Sequence, residues 1–507
     1  MPFIPTAEPT PEQPRELTVS VTERGSGEPV ADARVVGDGV DARTTADGSA
    51  TVSALRGTEL RVEADGHDPA AISVPDDGDA TVELRRNVVR GVITDAGGDP
   101  VAGARVFLDG ADHAVRTDRR GRYALANVPE SGTLIVKMPG FRLVEVTLGE
   151  SMDIDVALEP FETRALYAPG LVFEGPGRLD ELLRIIERTE ANSIVIDVKE
   201  TGGWLYYETD LPEAVESGAA ARPIFELEEL LPALKERGIY TIARMVCMKD
   251  NTVGASRPEL AVRNVATGEP WRDNIGGIWL DPAAPGVAEY LAAIAGDLAD
   301  KGFDEVQLDY IRYFSDGPYD VADTNLPNSQ SFRLPTIRRT LRVIAERLET
   351  ERAFLSADVF PISFIVPDDQ GIGQRPEVIM PYVDYFSPMV YPSHYGPGVF
   401  GHPVPNRAPY DVIDKTLEIM NRQAAGLPMR IRPWIQDFGY GPFPPYTAAQ
   451  IRDEMRALDD NGAVGWMIWN AQARFTEAAL GGPRPNEDAG IVRIGEPEPS
   501  AGASPSG

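Results

Sequence analysis

Cysteine is almost absent from this sequence: Cys247 is the only one in 507 residues. A disulfide framework and a metal site built from thiolates are therefore excluded. Histidine is scarce as well, and the four histidines contain no HxH or HExxH pair. A zinc-dependent hydrolase is thus not indicated, and we expect no metal and no cofactor. Because Cys247 lies in an apolar run, we predict that it is a small buried core residue.

Positive charge is the second scarce property. Lysine and arginine number 48 against 79 acidic residues, which gives a formal net charge of −31. Such a composition argues against binding to nucleic acid and against docking on an anionic membrane. The hydrophobic content of 42% is ordinary for globular proteins, and the length suggests two or three domains.

Long hydrophobic runs are missing too, so we expect no membrane span. Residues 1–15 are rich in proline and glutamate and lack the basic and apolar regions of a signal peptide. We interpret them as a tether, and an export signal upstream of this sequence stays open. Residues 485–507 are rich in proline, glycine and serine, a composition that predicts a disordered tail.

A tandem repeat occupies the chain from residue 16 to about 160. The motif EPVADARV at 28–35 recurs as DPVAGARV at 99–106, and each copy continues with a turn and alternating strands. Short strands that are separated by glycine, aspartate and proline turns are typical of small antiparallel β-sandwiches. We therefore predict two such modules, at residues 16–86 and 87–162.

Both copies of this repeat resemble the carboxypeptidase-regulatory-like, transthyretin-type modules that are attached to many exported bacterial enzymes. We interpret the modules as a spacer or adhesion stalk in contact with a cell surface or a polymer, and ligand binding by the modules is the alternative. We place no catalytic residue in either module, and we expect the rest of the chain to keep its activity without them.

From residue 163 to 484 the pattern changes to strands that alternate with amphipathic helices, as in RLDELLRIIERTE at 178–190. Eight strands with intervening helices over roughly 320 residues have the size and rhythm of a (β/α)8 TIM barrel. The segments 249–282 and 315–328, after the third and fourth strands, are expected to cover the active-site end. The predicted strands are 166–173, 193–200, 240–248, 305–314, 353–360, 385–392, 431–438 and 464–471.

The fourth of these strands, within FDEVQLDYIRYF at 303–314, carries Asp309. A carboxylate in so apolar a strand is costly unless it lies at the strand end beside a partner or a ligand. Chemistry in (β/α)8 barrels takes place at the C-terminal ends of the strands. We therefore predict that Asp309 is catalytic, and, for the same reason, Asp358 in LSADVF. The alternative is that Asp309 is only an ion-pair partner of Arg312 or Arg244.

Further polar and aromatic residues near the other strand ends are candidates for substrate binding, because flat aromatic faces pack on sugar rings and carboxylate pairs cleave glycosidic bonds. Structural roles are the alternative: Asp197 and Lys199 could pair with each other, His394 could cap a loop, and the tryptophans could fill the barrel. The candidates are Asp197, Lys199, Arg244, Arg312, Tyr391, His394, Trp434, Gln436, Asp437, Trp469 and Asn470.

Six motifs, IDVKETGG, FDEVQLDYIRYF, SADVF, PMVYPSHY, RPWIQDF and GWMIWNA, resemble those of a bacterial family of glycoside hydrolases with a TIM-barrel fold. The resemblance spans about residues 165–480 and implies hydrolysis of a polysaccharide or cell-surface glycan, outside the cell or at its surface. Placing the nucleophile at Asp309 and the acid at Asp358 is similar to α-amylase-type barrels. The sequence departs from that pattern, with Gln307 in place of an arginine and Asp358 in place of a glutamate.

Two other kinds of function stay open. A barrel that has lost its chemistry would serve as a non-catalytic glycan-binding or cell-surface scaffold. A phosphate-handling barrel would need a glycine-rich loop near its last two strands. GYGPFPPY at 439–446 is a poor candidate for such a loop, because its prolines lack N–H groups.

Overall fold

The computed structural model of the chain describes residues 13–483 and 491–495, so most of the predicted tether lies outside the described residues. The first unit is a β-sandwich with the strands β1 (Arg15–Glu23), β2 (Arg34–Gly37), β3 (Val40–Arg43), β4 (Ser49–Ala54), β5 (Glu59–Glu63), β6 (Ala70–Ser73) and β7 (Ala80–Leu84). Its two sheets have the orders β4-β1-β7 and β3-β2-β5-β6. Alternating residues such as Val19 and Leu60 are fully buried between the sheets.

The second unit repeats this arrangement, as the sequence motif predicts. Its strands are β8 (Val89–Asp95), β9 (Arg105–Leu108), β10 (Val115–Arg116), β11 (Arg122–Leu125), β12 (Thr133–Lys137), β13 (Leu143–Thr147) and β14 (Val156–Leu158). β1 and β8 occupy equivalent places, and each pairs in parallel with the last strand of its own unit. In both sandwiches the first and last strands of the unit therefore form a parallel pair. The two buried cores are separate, and we propose the module boundaries of the sequence analysis on that ground.

The third unit contains the strands β15 (Thr163–Ala168), β16 (Ser193–Lys199), β17 (Tyr240–Val246), β18 (Arg263–Asn264), β19 (Glu305–Asp309), β20 (Ala322–Asp323), β21 (Phe354–Val359), β22 (Tyr385–Pro388), β23 (Arg430–Ile431), β24 (Trp434–Gln436) and β25 (Gly465–Trp469). All but β18 and β20 form the barrel, a ring of parallel strands, and β18 pairs with β20 in a two-stranded ribbon that joins two of its loops. Neighbouring strands pair around the ring, which is closed where β24 pairs with β25 and β22 pairs with β23. β23 and β24 are two parts of the seventh strand, interrupted at Pro433, which has no N–H for the ladder.

The helices are α1 (Arg178–Arg188), α2 (Pro212–Ser217), α3 (Leu227–Glu236), α4 (Asn251–Ser256), α5 (Val287–Asp300), α6 (Gln330–Arg347), α7 (Ile362–Ile365), α8 (Pro376–Ile379), α9 (Pro409–Ala424) and α10 (Ala448–Asp460). α9 had no sequence-based prediction. After β25 the described residues contain a 3-10 turn, Glu477–Ala479, and no α-helix. Within the described ranges, no helix combines the length and apolarity that crossing a membrane requires. The predicted burial of Cys247 is confirmed.

Several sequence-based element predictions need correction, among them the sixth strand, which was predicted at 385–392 and ends at Pro388. The first barrel strand was predicted at 166–173 but is β15, because Pro169 ends it and residues 170–172 form a 3-10 turn. The fourth was predicted to reach residue 314 but ends at Asp309, because Tyr310 has a φ of +52°. The predicted disordered tail contains β26 (Ile491–Ile494), which pairs in parallel with β13 of the second sandwich. Its β-branched residues are a strand signal that the surrounding composition conceals; residues 484–490 and 496–507 lie outside the described residues.

The second sandwich is attached to the face of the barrel where the strands begin. Arg105 forms a buried salt bridge with Asp384, which directly precedes β22. The buried ammonium group of Lys137 donates to the backbone oxygen atoms of Glu351 and Ala353, ahead of β21. Buried ionic contacts of this kind fix the position of the sandwich on the barrel. The opposite face, where the barrel strands end, is left free for a site.

Candidate active site

A cavity of about 460 Å³ opens at the C-terminal ends of the barrel strands. Its wall includes both carboxylates predicted to be catalytic, Asp309 and Asp358. The volume lies within the range of about 300–1,000 Å³ that is usual for small-molecule sites. The lining residues are Arg244, Asp309, Tyr310, Arg312, Asp358, Phe360, Pro361, Ile362, Ile365, Met389, Tyr391, His394, Tyr395, Gly396, Val399, Trp434 and Trp469.

Asp309, the last residue of β19, accepts three hydrogen bonds. Its Oδ1 accepts from the backbone N–H of Tyr310 at 2.6 Å, and its Oδ2 accepts from Arg244 Nε at 3.1 Å and Nη2 at 2.5 Å. Arg244 is the register partner of Gln307 on the neighbouring strand. Arg244 therefore reaches Asp309 from the neighbouring strand β17. Of the two partners proposed for Asp309, Arg244 is the one that binds it.

Arg244 also binds Asp197, through Nη1 and Oδ1 at 2.5 Å. The other Asp197 oxygen accepts a hydrogen bond from the hydroxyl group of Tyr167. Burial, opposed by Arg244 and assisted by Glu200, raises the pKa of Asp197 to about 8. Asp197 is fully buried and does not line the cavity. It was predicted to bind substrate, and instead it holds Arg244 in place.

Asp358 lies on β21, which neighbours β19 in the ring. Its Oδ1 accepts a hydrogen bond from Trp434 Nε1 at 2.7 Å, and its Oδ2 lies 4.0 Å from Arg244 Nε. Burial, together with the charge of Asp309, raises the pKa of Asp358 well above the usual carboxyl range. Arg244 Nε is 3.1 Å from Asp309 Oδ2, so the two Oδ2 atoms are at most the sum of these distances, about 7.1 Å, apart.

Other predicted residues form the aromatic side of the wall. Trp434 and Trp469 meet edge to face, with 5.6 Å between ring centroids, and Trp469 stacks on Tyr167 at 4.1 Å. Tyr391 and His394 border the cavity from the loop after β22. Burial lowers the pKa of His394, so this side chain is neutral near pH 7 and offers a hydrogen bond rather than a charge.

Lys199 was predicted to bind substrate but lies away from the cavity. It is fully buried, forms a salt bridge with Asp250 at 2.8 Å and donates to the backbone oxygen of Val246 at 2.7 Å. The register of β16 against β17 shifts between Asp197 and Lys199, so the two residues do not follow a simple alternation. They therefore have different partners rather than each other, contrary to the pairing considered from the sequence.

Three further candidates from the seventh and eighth strands also lie outside the cavity wall. Gln436 bonds to main-chain groups of two neighbouring loops, and Asp437 accepts from the N–H and hydroxyl groups of Thr476 at 2.6 and 2.8 Å. Asn470 makes four hydrogen bonds with the main chain around the turn that follows β25. These residues shape the rim loops and do not face the cavity.

Most of the apolar side of the cavity was not predicted from the sequence. The segments after β21 and β22 supply it, although neither was predicted to cover the site. A usable signal was present, because apolar residues directly after barrel strands belong to βα loops at the active-site face. The missed lining residues are Tyr310, Phe360, Pro361, Ile362, Ile365, Met389, Tyr395, Gly396 and Val399.

A (β/α)8 barrel whose strand ends present paired carboxylates and aromatic rings to one cavity has the features of a glycoside hydrolase. Residues 165–475 match the family model described as "Putative glycosyl hydrolase domain", and the chain belongs to this family. The protein is thus a glycoside hydrolase. Residues 88–159, which form the second sandwich, match the "Carboxypeptidase regulatory-like domain" model.

Several solved structures are similar to parts of the chain. A hypothetical protein from Ruminiclostridium thermocellum is 34% identical over 38% of this chain and 97% of its own, with a TM-score of 0.35. The PgaB (BpsB) glycoside hydrolase domain from Bordetella bronchiseptica is 13% identical over 64% and 99%, with a TM-score of 0.43. A chitinase from Chromobacterium violaceum is 14% identical over 63% and 98%, with a TM-score of 0.36. A comparison with curated protein sequences gives no match.

Proposed function

We propose that the barrel hydrolyses O-glycosidic bonds in a polysaccharide or a cell-surface glycan, with Asp309 and Asp358 as its two carboxylates. The observation that carries this proposal is the unequal position of the two side chains around Arg244. Two guanidinium hydrogen bonds go to Asp309, whereas Asp358 is 4.0 Å away from the same group. Glycosidic cleavage needs such a pair, with one carboxyl group protonated and the other ionised.

The two roles follow from these environments. Asp358, with its raised pKa, holds a proton near neutral pH and donates it to the glycosidic oxygen as the leaving group departs. Asp309, balanced by Arg244, is the ionised carboxylate that attacks the anomeric carbon or stabilises the oxocarbenium-like centre. Trp434 orients the acid through its hydrogen bond to Oδ1.

Retention of anomeric configuration is the outcome we propose, on the resemblance of the two positions to α-amylase-type barrels. Retaining enzymes have carboxyl groups about 5–5.5 Å apart, and inverting enzymes about 6.5–9.5 Å apart. The limit of about 7.1 Å between the Oδ2 atoms keeps Asp358 within reach of a shared substrate. The anomer released at first turnover, followed by NMR, distinguishes retention from inversion.

The two sandwiches are proposed to act as a spacer between the barrel and a cell surface or polymer. The second sandwich contacts the face where the barrel strands begin, through Arg105 and Lys137. Asp309 lies at the opposite end of the strands, so that sandwich does not border the cavity. A direct part in substrate cleavage is therefore not proposed for it.

The test is hydrolysis of a polysaccharide panel, measured as released reducing ends, by the wild type, Asp309→Asn and Asp358→Asn. Asp358→Asn removes the general acid and should reduce turnover of polysaccharide by about 10²–10⁴-fold. The loss of turnover should be much smaller on aryl glycosides, because the phenolate of an acidic phenol leaves without being protonated. Asp309→Asn should lose activity on both kinds of substrate, because the ionised carboxylate is needed whatever the leaving group.

Asp320→Asn is the matched control, since Asp320 is an exposed aspartate in the loop that follows β19. Its activity should equal that of the wild type. Unchanged turnover in Asp309→Asn, with the thermal midpoint also unchanged, would exclude the proposed mechanism. If all polysaccharides and aryl glycosides are bound but none is cleaved, the non-catalytic scaffold becomes the better explanation.

A further inference from the structure

Arg312 is a buried cation in the wall of the candidate active site. Its side chain lies among three aromatic rings, with the guanidinium carbon 4.7 Å from the ring centroid of Trp279, 4.9 Å from Tyr310 and 5.2 Å from Phe360. Only 6% of the surface of Arg312 is exposed, and Arg312 borders the cavity. Burial lowers the pKa of this guanidinium from its ordinary value, and the nearby charges of Asp309 and Asp316 oppose that shift only in part.

The hydrogen bonds of Arg312 leave one edge of the guanidinium without a protein partner. Nη1 donates to the backbone oxygen of Tyr313 at 3.1 Å and to Ser315 Oγ at 3.0 Å. Nε and Nη2 donate to no residue in the described ranges 13–483 and 491–495, and Arg312 forms no salt bridge within them. Arg244, on the same wall, has Asp197 and Asp309 as partners, so its charge is already balanced.

We propose that the Nε–Nη2 edge of Arg312 binds the carboxylate of an acidic sugar, so that the substrate is a glycan containing uronic acid. This inference rests on the proposed glycosidic hydrolysis and names its substrate class. A buried charge needs a partner, and the planar guanidinium edge matches a carboxylate in a bidentate arrangement. The bound carboxylate would occupy the same cavity as Asp309 and Asp358, which places the acidic sugar beside the bond to be cleaved.

A purely structural role for Arg312 makes a different prediction. If the guanidinium only supports the rings of Trp279, Tyr310 and Phe360, its loss would disturb the cavity wall for every substrate. If it binds a carboxylate, its loss affects acidic substrates alone. Acidic oligosaccharides and the same oligosaccharides after reduction of the carboxyl groups to alcohols therefore separate the two roles.

The experiment compares the wild type, Arg312→Lys and Arg312→Gln on oligouronates and on their carboxyl-reduced counterparts. We expect the wild type to prefer the acidic form. In Arg312→Gln, kcat/KM for the acidic form should fall by about 10- to 100-fold, the value of a charged hydrogen-bonded contact. Activity on the reduced form should change by less than about threefold. The kcat/KM of Arg312→Lys for the acidic form should lie between those of the wild type and Arg312→Gln, because lysine keeps the charge but not the bidentate geometry.

The control is Arg272→Gln, because Arg272 is an exposed arginine in the loop after β17 and outside the cavity wall. Calorimetric titration of the inactive Asp309→Asn protein with an oligouronate gives a second readout, in which adding Arg312→Gln should abolish most of the binding. Equal losses on acidic and reduced substrates would overturn the inference in favour of the structural role. Cleavage of neutral or sulfated oligosaccharides but not oligouronates would overturn it while leaving hydrolysis intact, whereas cleavage of none would contradict the proposed function itself.

Discussion

Trp434 donates a hydrogen bond from its indole nitrogen to Asp358 Oδ1 over 2.7 Å. The tryptophan side chain is almost fully buried, so this contact fixes the carboxyl group from the barrel interior. Trp434 was predicted from the sequence to bind sugar, and its hydrogen bond adds a second role, orientation of the Asp358 carboxyl group. A hydrogen bond to the ionised form also opposes the burial that raises the pKa of Asp358.

Trp434→Phe should therefore shift the pH profile as well as reduce the rate. Loss of the donor removes a contact that favours the carboxylate, so the pKa of Asp358 should rise further. The general acid is active while protonated, so the alkaline limb of kcat/KM should move to higher pH. The maximal kcat should fall by about tenfold, because the acid is oriented less well. The measurement is a pH–rate profile from pH 4 to 10.

Trp466→Phe is the matched control for this substitution. Trp466 is equally buried but belongs to the main hydrophobic core and is not part of the cavity wall. It should lower the thermal midpoint without moving the alkaline limb. An alkaline limb that stays in place in Trp434→Phe would show that Asp358 is not the group that limits activity at high pH.

A second prediction concerns Arg244, the only arginine in contact with both Asp197 and Asp309 among the described residues. Arg244→Gln removes the counter-charge and the hydrogen bonds of these buried carboxyl groups and should cost about 3–5 kcal/mol of unfolding free energy. Burial raises the pKa of Asp197 to about 8 even beside Arg244, and loss of Arg244 should raise it further, so the cost should grow as the pH rises from 7 to 9. Urea unfolding at the two pH values measures it.

Two further variants decide whether the charge balance is the cause. Arg338→Gln changes an exposed arginine of α6 and should alter stability by less than about 0.5 kcal/mol. Arg244→Gln combined with Asp197→Asn should be more stable than Arg244→Gln alone, because asparagine replaces a buried carboxyl group that must hold a proton in the folded protein. Additive losses in the double variant would contradict this explanation.

Much of the architecture could be predicted because it follows from local patterns. Apolar strands that alternate with amphipathic helices indicate a barrel, and a lone aspartate in such a strand, as at Asp309 and Asp358, stands out against the apolar residues around it. Both residues border the cavity. The contrast between a charged residue and its apolar neighbours was the informative signal.

What could not be predicted depends on side-chain direction and long-range pairing. Lys199 and Gln436 lie near strand ends as Asp309 does, but a shifted register and loop contacts turn them away from the cavity. The positive φ of Tyr310, which ends β19 early, has no counterpart in the residue type. The pairing of β26 with β13 joins segments about 350 residues apart, so no local pattern contains it.

A third prediction uses the raised pKa of Asp358 as a stability effect. In the unfolded chain this carboxyl group loses its proton near pH 4, whereas in the folded protein it keeps it to a much higher pH. The unfolded state therefore binds fewer protons between these values, and stability should fall as the pH rises from about 4 towards the folded-state pKa. Asp358→Asn removes this contribution.

The thermal midpoint of Asp358→Asn, relative to that of the wild type, should accordingly increase between pH 4.5 and 8. Asp320→Asn changes an exposed aspartate, and its thermal midpoint should differ from that of the wild type by the same amount at every pH in this range. If the thermal midpoints of Asp358→Asn and the wild type differ by the same amount at all pH values, the raised pKa of Asp358 is contradicted.

The last prediction concerns the two sandwiches, which were predicted from the sequence to be dispensable together. The second sandwich is bound to the barrel, through the salt bridge between Arg105 and Asp384 among other contacts. Removal of the second sandwich would leave Asp384 without Arg105 and would deprive β26 of its partner strand. A chain that begins at residue 87 should therefore keep the thermal midpoint and activity of the full chain. A chain that begins at residue 163 should unfold at a markedly lower temperature or fail to fold, because apolar residues that contact the sandwich at the start of the barrel strands, such as Phe354, become exposed to water.

Arg105→Met tests the same interface without shortening the chain. It should destabilise the protein by about 3–5 kcal/mol, since Asp384 stays buried with its salt bridge broken. Combining it with Asp384→Asn should recover part of that loss, because no unpaired charge is left. Arg116→Met, at an exposed salt bridge with Glu349 on the same interface, should cost no more than about 1 kcal/mol. Full stability and activity of the chain that begins at residue 163 would show that the barrel folds alone and that this interface only positions the second sandwich.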